Sequence, residues 1–215
     1  MRKICVINQK GGVGKTTTTI NIAAGLSRND KKVLVIDFDA QGNIATSLDI
    51  KNDKDIYSIL TENADISQCT KNLGKNLDII PSKESLTKTE VLIAKLPKKE
   101  TILKTKLKDL GGYDYVLIDC PPSLGLLNQN ALLYAQEAFI PVSTDFLGYD
   151  ALLKMDSVIK DINLHFKHNM KITKVIPTLF DKRNKTCRHF LDKITSQFYE
   201  IVSNPIRINS KIKEA

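Results

Sequence analysis

The chain of 215 residues has no tryptophan, and its four cysteines are scattered without the C-x-x-C spacing of zinc or redox sites. This distribution favours reduced, structural thiols, and it argues against an iron–sulfur cluster carried between subunits. The three histidines also lack partners at metal-ligand spacing. A transition-metal or cluster protein is therefore not the expected class.

Long apolar runs are also missing. No stretch approaches the roughly 18 apolar residues that indicate a membrane-spanning helix, and Met1 leads directly into a strand-like segment instead of a secretory leader. We therefore expect a cytoplasmic protein that does not contact a membrane. With 42% hydrophobic residues, a chain of this length can bury one good core, so a single domain over residues 1–215 is expected.

Apolar runs without alternation recur along the chain, and helical patterns lie between them. Such runs are typical of strands that are buried on both faces. After a first strand around Ile4, Val6 and Ile7, they occupy residues 33–36, 77–80, 116–118, 139–142 and 175–179. Helical patterns occupy residues 17–26, 84–96, 124–135, 151–164 and 188–199. The order predicts an α/β fold with a doubly wound, mostly parallel sheet and helices on both faces.

Residues 8–17 read Asn-Gln-Lys-Gly-Gly-Val-Gly-Lys-Thr-Thr and resemble a phosphate-binding loop between a strand and a helix. Glycines in such a loop let successive N–H groups turn towards phosphate oxygens. A lysine and a hydroxyl then supply charge and a magnesium ligand. The predicted nucleotide-binding residues of the loop are Lys10, Gly11, Gly12, Val13, Gly14, Lys15, Thr16 and Thr17.

The loop departs from the ordinary Walker pattern, because Gln9 stands where that pattern has glycine and Lys10 adds a second lysine. This deviant Walker A loop resembles that of the P-loop ATPase family containing ParA, Soj and MinD. The resemblance implies a face-to-face dimer with two ATP molecules between its subunits. In such a dimer Lys10 reaches the partner's nucleotide, and Lys10 and Lys15 are predicted catalytic residues.

Carboxylates follow two of the predicted strands. Asp37 and Asp39 come after residues 33–36, and Asp119 comes after residues 116–118. A single aspartate in such a place is often only a turn former. With a phosphate loop in the same chain, a magnesium site is favoured, because Mg²⁺ prefers oxygen ligands and keeps most of its waters. We predict Thr16, Asp37 and Asp119 around Mg²⁺, and the resemblance implies that Asp39 positions the attacking water.

The resemblance covers nearly the whole chain and is strongest to the ParA/Soj chromosome and plasmid partitioning branch. It includes residues 39–43, residues 119–125 and the Ile140-Pro141-Val142 run. It also implies that Arg207 and Asn209 lie beside the nucleotide base. The chain stops at Ala215, where the family continues towards one last helix, so we expect that helix to be missing.

Positive charge is concentrated in the last quarter of the chain. The net charge is +8, and residues 161–215 hold eleven Lys or Arg against five Asp or Glu. By itself such a surface is often only solvated. The resemblance implies that it binds double-stranded DNA without sequence preference. The candidate DNA-binding residues are Lys182, Arg183, Lys185, Arg188 and Lys211.

The sequence therefore predicts a ParA-type ATPase that uses ATP and Mg²⁺, dimerises with ATP, binds nucleoid DNA and hydrolyses ATP weakly until stimulated by a ParB-like partner. The main alternative is a MinD-like, membrane-associated regulator of division-site placement. A metallocluster carrier and an inactive DNA-binding adaptor are further alternatives from other classes.

Overall fold

The computed structural model of the chain describes residues 1–209, which contain one seven-stranded sheet. The strands lie in the order β3-β4-β2-β5-β1-β6-β7; β3 is antiparallel to β4, and all other pairs are parallel. Their bounds are β1 Arg2–Val6, β2 Val33–Asp37, β3 Lys71–Gly74, β4 Leu77–Ile80, β5 Tyr115–Asp119, β6 Glu137–Ser143 and β7 Lys171–Thr178.

Helices connect the strands. Their bounds are α1 Lys15–Arg28, α2 Asn43–Ser47, α3 Ile56–Thr61, α4 Ile66–Cys69, α5 Thr89–Ile93, α6 Ile102–Lys106, α7 Leu126–Tyr134, α8 Phe146–Phe166 and α9 Lys185–Gln197. Short 3₁₀ turns occupy Glu84–Lys88, Lys99–Thr101 and Tyr199–Ile201. In the described residues, no helix is long and apolar enough to cross a membrane.

The core lies on both faces of the sheet, which explains why the strand sequences do not alternate. All five residues of β2 are buried. One face packs a large cluster around Ile36, Ile118 and Leu132, and the other packs a smaller one around Val35 and Leu117. The prediction of a doubly wound, mostly parallel sheet with helices on both faces is therefore confirmed.

One local prediction was wrong, and one strand was missed. The helix expected over residues 84–96 is divided into a 3₁₀ turn and the short α5. In that turn the Thr87 hydroxyl donates to the Glu84 carbonyl at 2.7 Å, a local bond that competes with regular helix formation. The strand β3 was missed, because this edge strand is polar and only Leu73 in it is half-buried.

The topology brings the proposed site residues to one edge of the sheet. The central strands β2, β5 and β1 are parallel neighbours, so their carboxyl ends lie side by side. Asp37 and Asp119 are paired in register at the ends of β2 and β5. The phosphate loop follows β1 at the same edge, which is where ligands bind in open α/β sheets.

Candidate functional site

The loop between β1 and α1 has the backbone of an anion-binding turn. Gly12 and Gly14 adopt φ angles of 72° and 86°, in the left-handed region that favours glycine. Gly14 precedes α1, whose first turn has no side-chain cap and no acidic residue. The free N–H groups and the dipole of this helix end favour a bound anion such as phosphate.

Lys15 lies in this loop with its side chain largely buried, and its Nζ donates to the Lys10 carbonyl at 3.2 Å. Burial lowers the pKa of Lys15, while the negative charge of Asp119 opposes that shift. A buried ammonium with only a carbonyl acceptor is poorly compensated. A phosphate group on the loop would supply the missing negative charge.

Thr16 and Asp119, two of the predicted cation ligands, are in direct contact. The Thr16 hydroxyl donates to Asp119 Oδ2 at 2.7 Å, and the Thr19 hydroxyl lies 3.2 Å from Oδ1 of the same carboxylate. Burial raises the pKa of Asp119 to about 6, even though both hydroxyls and Lys15 favour its charged form. Thr19 was not among the predicted residues, although its position on the first turns of α1 after Thr16 could have suggested it.

Asp37, the third predicted cation ligand, is in register with Asp119 on the neighbouring strand. It is fully buried, and its Oδ1 accepts the Asp39 N–H at 3.1 Å. Its Oδ2 has no hydrogen-bond partner among the residues that the structure describes. Burial, followed by the charge of Asp119, raises the pKa of Asp37 to about 7. Two buried carboxylates beside a hydroxyl fit a hard divalent cation such as Mg²⁺, which would satisfy the unpartnered oxygen.

The raised pKa of Asp37 predicts a pH effect on stability in the absence of nucleotide and metal. The folded form binds the Asp37 proton up to about pH 7, whereas an unfolded aspartate loses it near pH 4. The free energy of unfolding should therefore fall as the pH rises through this window. We expect Asp37→Asn to melt above wild type at pH 8, with the difference shrinking towards pH 5. A melting-temperature difference that is constant with pH would contradict this prediction.

Asp39 lies half-buried just past β2, on a loop that is held by several contacts. Asp39 Oδ1 accepts the Gln41 N–H at 3.0 Å, and the Ser82 hydroxyl donates to the Asp39 carbonyl. Gly42 turns with φ 59°, and a Cβ there would come within 2.9 Å of the Ser82 carbonyl oxygen. Among residues 1–209, no hydrogen bond to Asp39 Oδ2 is found. Sequence reasoning missed Ser82, since no motif marks it.

The Lys10 side chain contacts the end of β6 and the N-cap of α8. Its Nζ donates to both carboxylate oxygens of Asp145, at 2.7 and 2.8 Å, and to the Ser143 hydroxyl at 2.9 Å. Asp145 is also the N-cap of α8, where it accepts the Gly148 N–H. Sequence analysis missed Ser143 and Asp145; the only available signal was an aspartate at the start of a helical pattern.

A cavity of about 370 Å³ lies beside the loop, between α1 and the segment after β7. Arg207 and Asn209 line it together with Gly12, Thr17 and Leu179. Thr178 ties this segment to the loop, because its hydroxyl donates to the Val13 carbonyl at 2.9 Å. The two predicted base-contact residues are thus brought next to the phosphate loop.

The predicted DNA-binding residues cluster around the start of α9. Lys182, Arg183, Lys185 and Arg188 are all exposed. Arg183 is engaged by Asp181, with its Nε and Nη2 at 3.1 and 3.0 Å from the two carboxylate oxygens. Within residues 1–209 the other three have no ion pair. Lys211 lies outside the described residues.

Comparison with known proteins connects this site to one family. The AAA domain family matches residues 1–172. The chromosome-partitioning ATPase Soj of Treponema pallidum is 34% identical over all of this chain and 86% of its own length. Two crystal structures also match. One is a plasmid partition protein of Borrelia burgdorferi bound to AMPPNP (30% identity, TM-score 0.87, 100% of this chain and 90% of that chain).

The other is a cobyrinic acid a,c-diamide synthase of Mycobacterium smegmatis with a bound ATP analogue and magnesium. It is 30% identical, with a TM-score of 0.88, and the match covers 99% of this chain and 89% of that one. The sequence matches extend over the phosphate loop, both carboxylate-bearing strands and the segment after β7. The chain therefore belongs to the ParA/Soj family of partitioning ATPases.

Proposed function

We propose that this protein is a DNA-partitioning ATPase whose ATP-bound form is a face-to-face dimer that binds DNA. The observation that carries this proposal is a phosphate loop beside two buried strand-end carboxylates, together with a lysine of that loop, Lys10, that is held by Asp145. The chromosome-partitioning ATPase relative and the ligands of the two solved structures support ATP and Mg²⁺ as the bound groups.

Each site residue then has a distinct part in ATP hydrolysis. The loop N–H groups and Lys15 hold the phosphates, and the Thr16 hydroxyl and Asp119 hold the cation, with Asp37 next to them. Mg²⁺ supplies charge neutralisation on the phosphate oxygens. Phosphoryl transfer needs in-line positioning more than a strong base, so the free oxygen of Asp39 suffices to orient water. Arg207 and Asn209 would contact the base.

Lys10 would complete the site of the partner subunit. In the single chain it is held by Asp145 and Ser143, so it must leave both to stabilise charge on the partner's transferred phosphate. A nucleotide in each of two facing loops would attract the two lysines across the interface. Catalysis is then weak in the monomer.

DNA binding would follow from the same dimer. Each subunit carries one basic cluster at the start of α9, and two linked clusters on one duplex gain affinity without any new contact. ATP would thereby control DNA affinity. A ParB-like, centromere-binding partner would accelerate hydrolysis and release the subunits from nucleoid DNA in the cytoplasm, and repeated capture and release would move the replicon.

The basic cluster is tested by measuring duplex affinity with ATP at several salt concentrations. Lys185→Gln and Arg188→Gln should each lower affinity roughly 3- to 10-fold and reduce the salt slope by about 0.9 for each lost phosphate contact. Arg183→Gln should have a smaller effect, because Asp181 already engages that side chain. Lys154→Gln, on α8, is the matched control. Equal effects in the control and in the α9 variants would place DNA binding elsewhere.

A further inference from the structure

A second basic surface lies at the amino ends of the parallel strands, opposite the phosphate loop. We call it the amino-end surface and define it by Lys3, Lys104, Lys167 and Lys171. Lys3 and Lys171 lie near the starts of β1 and β7, and Lys167 ends α8, which runs back from the carboxyl edge. Lys104 lies on α6, before the chain enters β5.

Hydrogen bonds bring β1, β7 and the end of α8 together. The Gln136 N–H donates to the Lys3 carbonyl at 3.1 Å, and the Lys171 N–H donates to the Gln136 carbonyl at 3.0 Å. His168, next to Lys167, places its Nε2 2.8 Å from the Ala135 carbonyl, at the end of α7. Lys104 joins the same edge through α6, which packs against α7.

Positive charge on this surface is not neutralised. The Glu137 carboxylate, on the strand next to β1, pairs with Arg2 at 2.6 Å. Among residues 1–209, no ion pair involves any of the four defining lysines.

Lys3 packs on an aromatic ring and is affected by the positive charge of Lys104. Its Nζ lies 4.3 Å from the centre of the Tyr134 ring, which fixes the half-buried side chain. Burial and the nearby charge of Lys104 lower the pKa of Lys3. An anion bound beside Lys3 and Lys104 would offset the repulsion between their positive charges.

We propose that the amino-end surface is a second contact for the phosphate backbone of duplex DNA, so that one ATP-bound dimer bridges two duplexes. This inference rests on the proposed function, because a face-to-face dimer joins the carboxyl edges of the two sheets. The two amino-end surfaces then point outwards at opposite ends of the dimer. Ammonium groups on flexible stems suit phosphate oxygens without reading sequence.

The test measures bridging and single-duplex binding separately. Bridging is the capture of a fluorescent duplex by bead-bound duplex with AMPPNP, and single-duplex binding is followed by fluorescence anisotropy. The variant is Lys104→Gln/Lys167→Gln/Lys171→Gln, which changes only exposed side chains and keeps Lys3 on Tyr134. The control, Lys51→Gln/Lys88→Gln/Lys95→Gln, removes the same charge from exposed positions elsewhere.

We expect the variant to lose bridging by about 10-fold or more and to bind one duplex within about 3-fold of wild type, while the control bridges normally. Equal bridging by the variant and wild type, or equal losses in variant and control, would overturn the inference. Wild type that binds one duplex but does not bridge would also overturn it and leave the proposed function standing.

Failure of wild type to bind even one duplex with ATP would instead contradict the proposed function itself. A last measurement tests lipid binding by sedimentation with anionic vesicles of phosphatidylglycerol and phosphatidylcholine. Sedimentation with these vesicles that depends on the three substituted lysines, without bridging, would assign the surface to lipid and overturn the DNA contact.

Discussion

Lys15→Ala is expected to lower ATP affinity by roughly 100-fold or more. The side chain is largely buried beside the loop, and its own hydrogen bond is to a carbonyl at 3.2 Å, so its charge is compensated mainly when phosphate binds. Charge-assisted hydrogen bonds are about twice as strong as neutral ones, and here several are lost together. Isothermal titration calorimetry with ATP and Mg²⁺ measures the effect directly.

The same substitution should leave the nucleotide-free protein at least as stable as wild type, because it removes a poorly compensated buried charge. Lys95→Ala, at an exposed position away from the loop, is the matched control and should bind ATP normally. Unchanged ATP affinity in Lys15→Ala, with the fold intact by circular dichroism, would remove Lys15 from the site.

Asp39→Ala is expected to slow phosphate release by roughly 100-fold or more while ATP affinity stays within about 3-fold of wild type. A group that orients or deprotonates the attacking water typically contributes about 10²- to 10⁴-fold to the rate. Because the dimer would form but not hydrolyse its ATP, the dimer should accumulate in size-exclusion chromatography with ATP. Phosphate release is measured in the same samples.

Two further variants separate charge from loop shape. Asp39→Asn keeps an acceptor for the Gln41 N–H and should preserve the turn, yet it should also hydrolyse slowly because the carboxylate is lost. Asp53→Ala, an exposed acidic position farther along the chain, should behave as wild type. Hydrolysis at the wild-type rate by Asp39→Ala would show that another residue positions the water.

Much of the fold could be predicted because a doubly wound sheet leaves a strong local pattern. β2 and β5 are buried on both faces, so their apolar runs were visible, and the glycines of the phosphate loop predicted a strand–loop–helix unit. β3 left no such pattern, since an edge strand with polar residues resembles a loop. The 3₁₀ turn before α5 also depends on the hydrogen bond from the Thr87 hydroxyl to the Glu84 carbonyl. The spacing of apolar residues does not reveal such a bond.

Site residues could be predicted where a motif directly follows a strand. They could not be predicted where segments that are distant in the sequence come into contact. Asp37 and Asp119 follow apolar runs, and their register in neighbouring strands could be inferred from a parallel topology. The contact of Lys10 with Asp145 spans 135 residues and depends on how β6 and α8 approach the loop, which one sequence does not specify. The amino-end surface was missed for the same reason, because its lysines are scattered along the chain.

The central claim is that ATP controls DNA binding through a dimer completed by Lys10. The most direct measurement is fluorescence anisotropy of a generic labelled duplex with ATP, with ADP and without nucleotide, at two salt concentrations, for wild type, Lys10→Ala and the Lys154→Ala control. We predict salt-sensitive binding that requires ATP in wild type and the control and is lost in Lys10→Ala. Binding that is indifferent to nucleotide, or unchanged in Lys10→Ala, would contradict the claim.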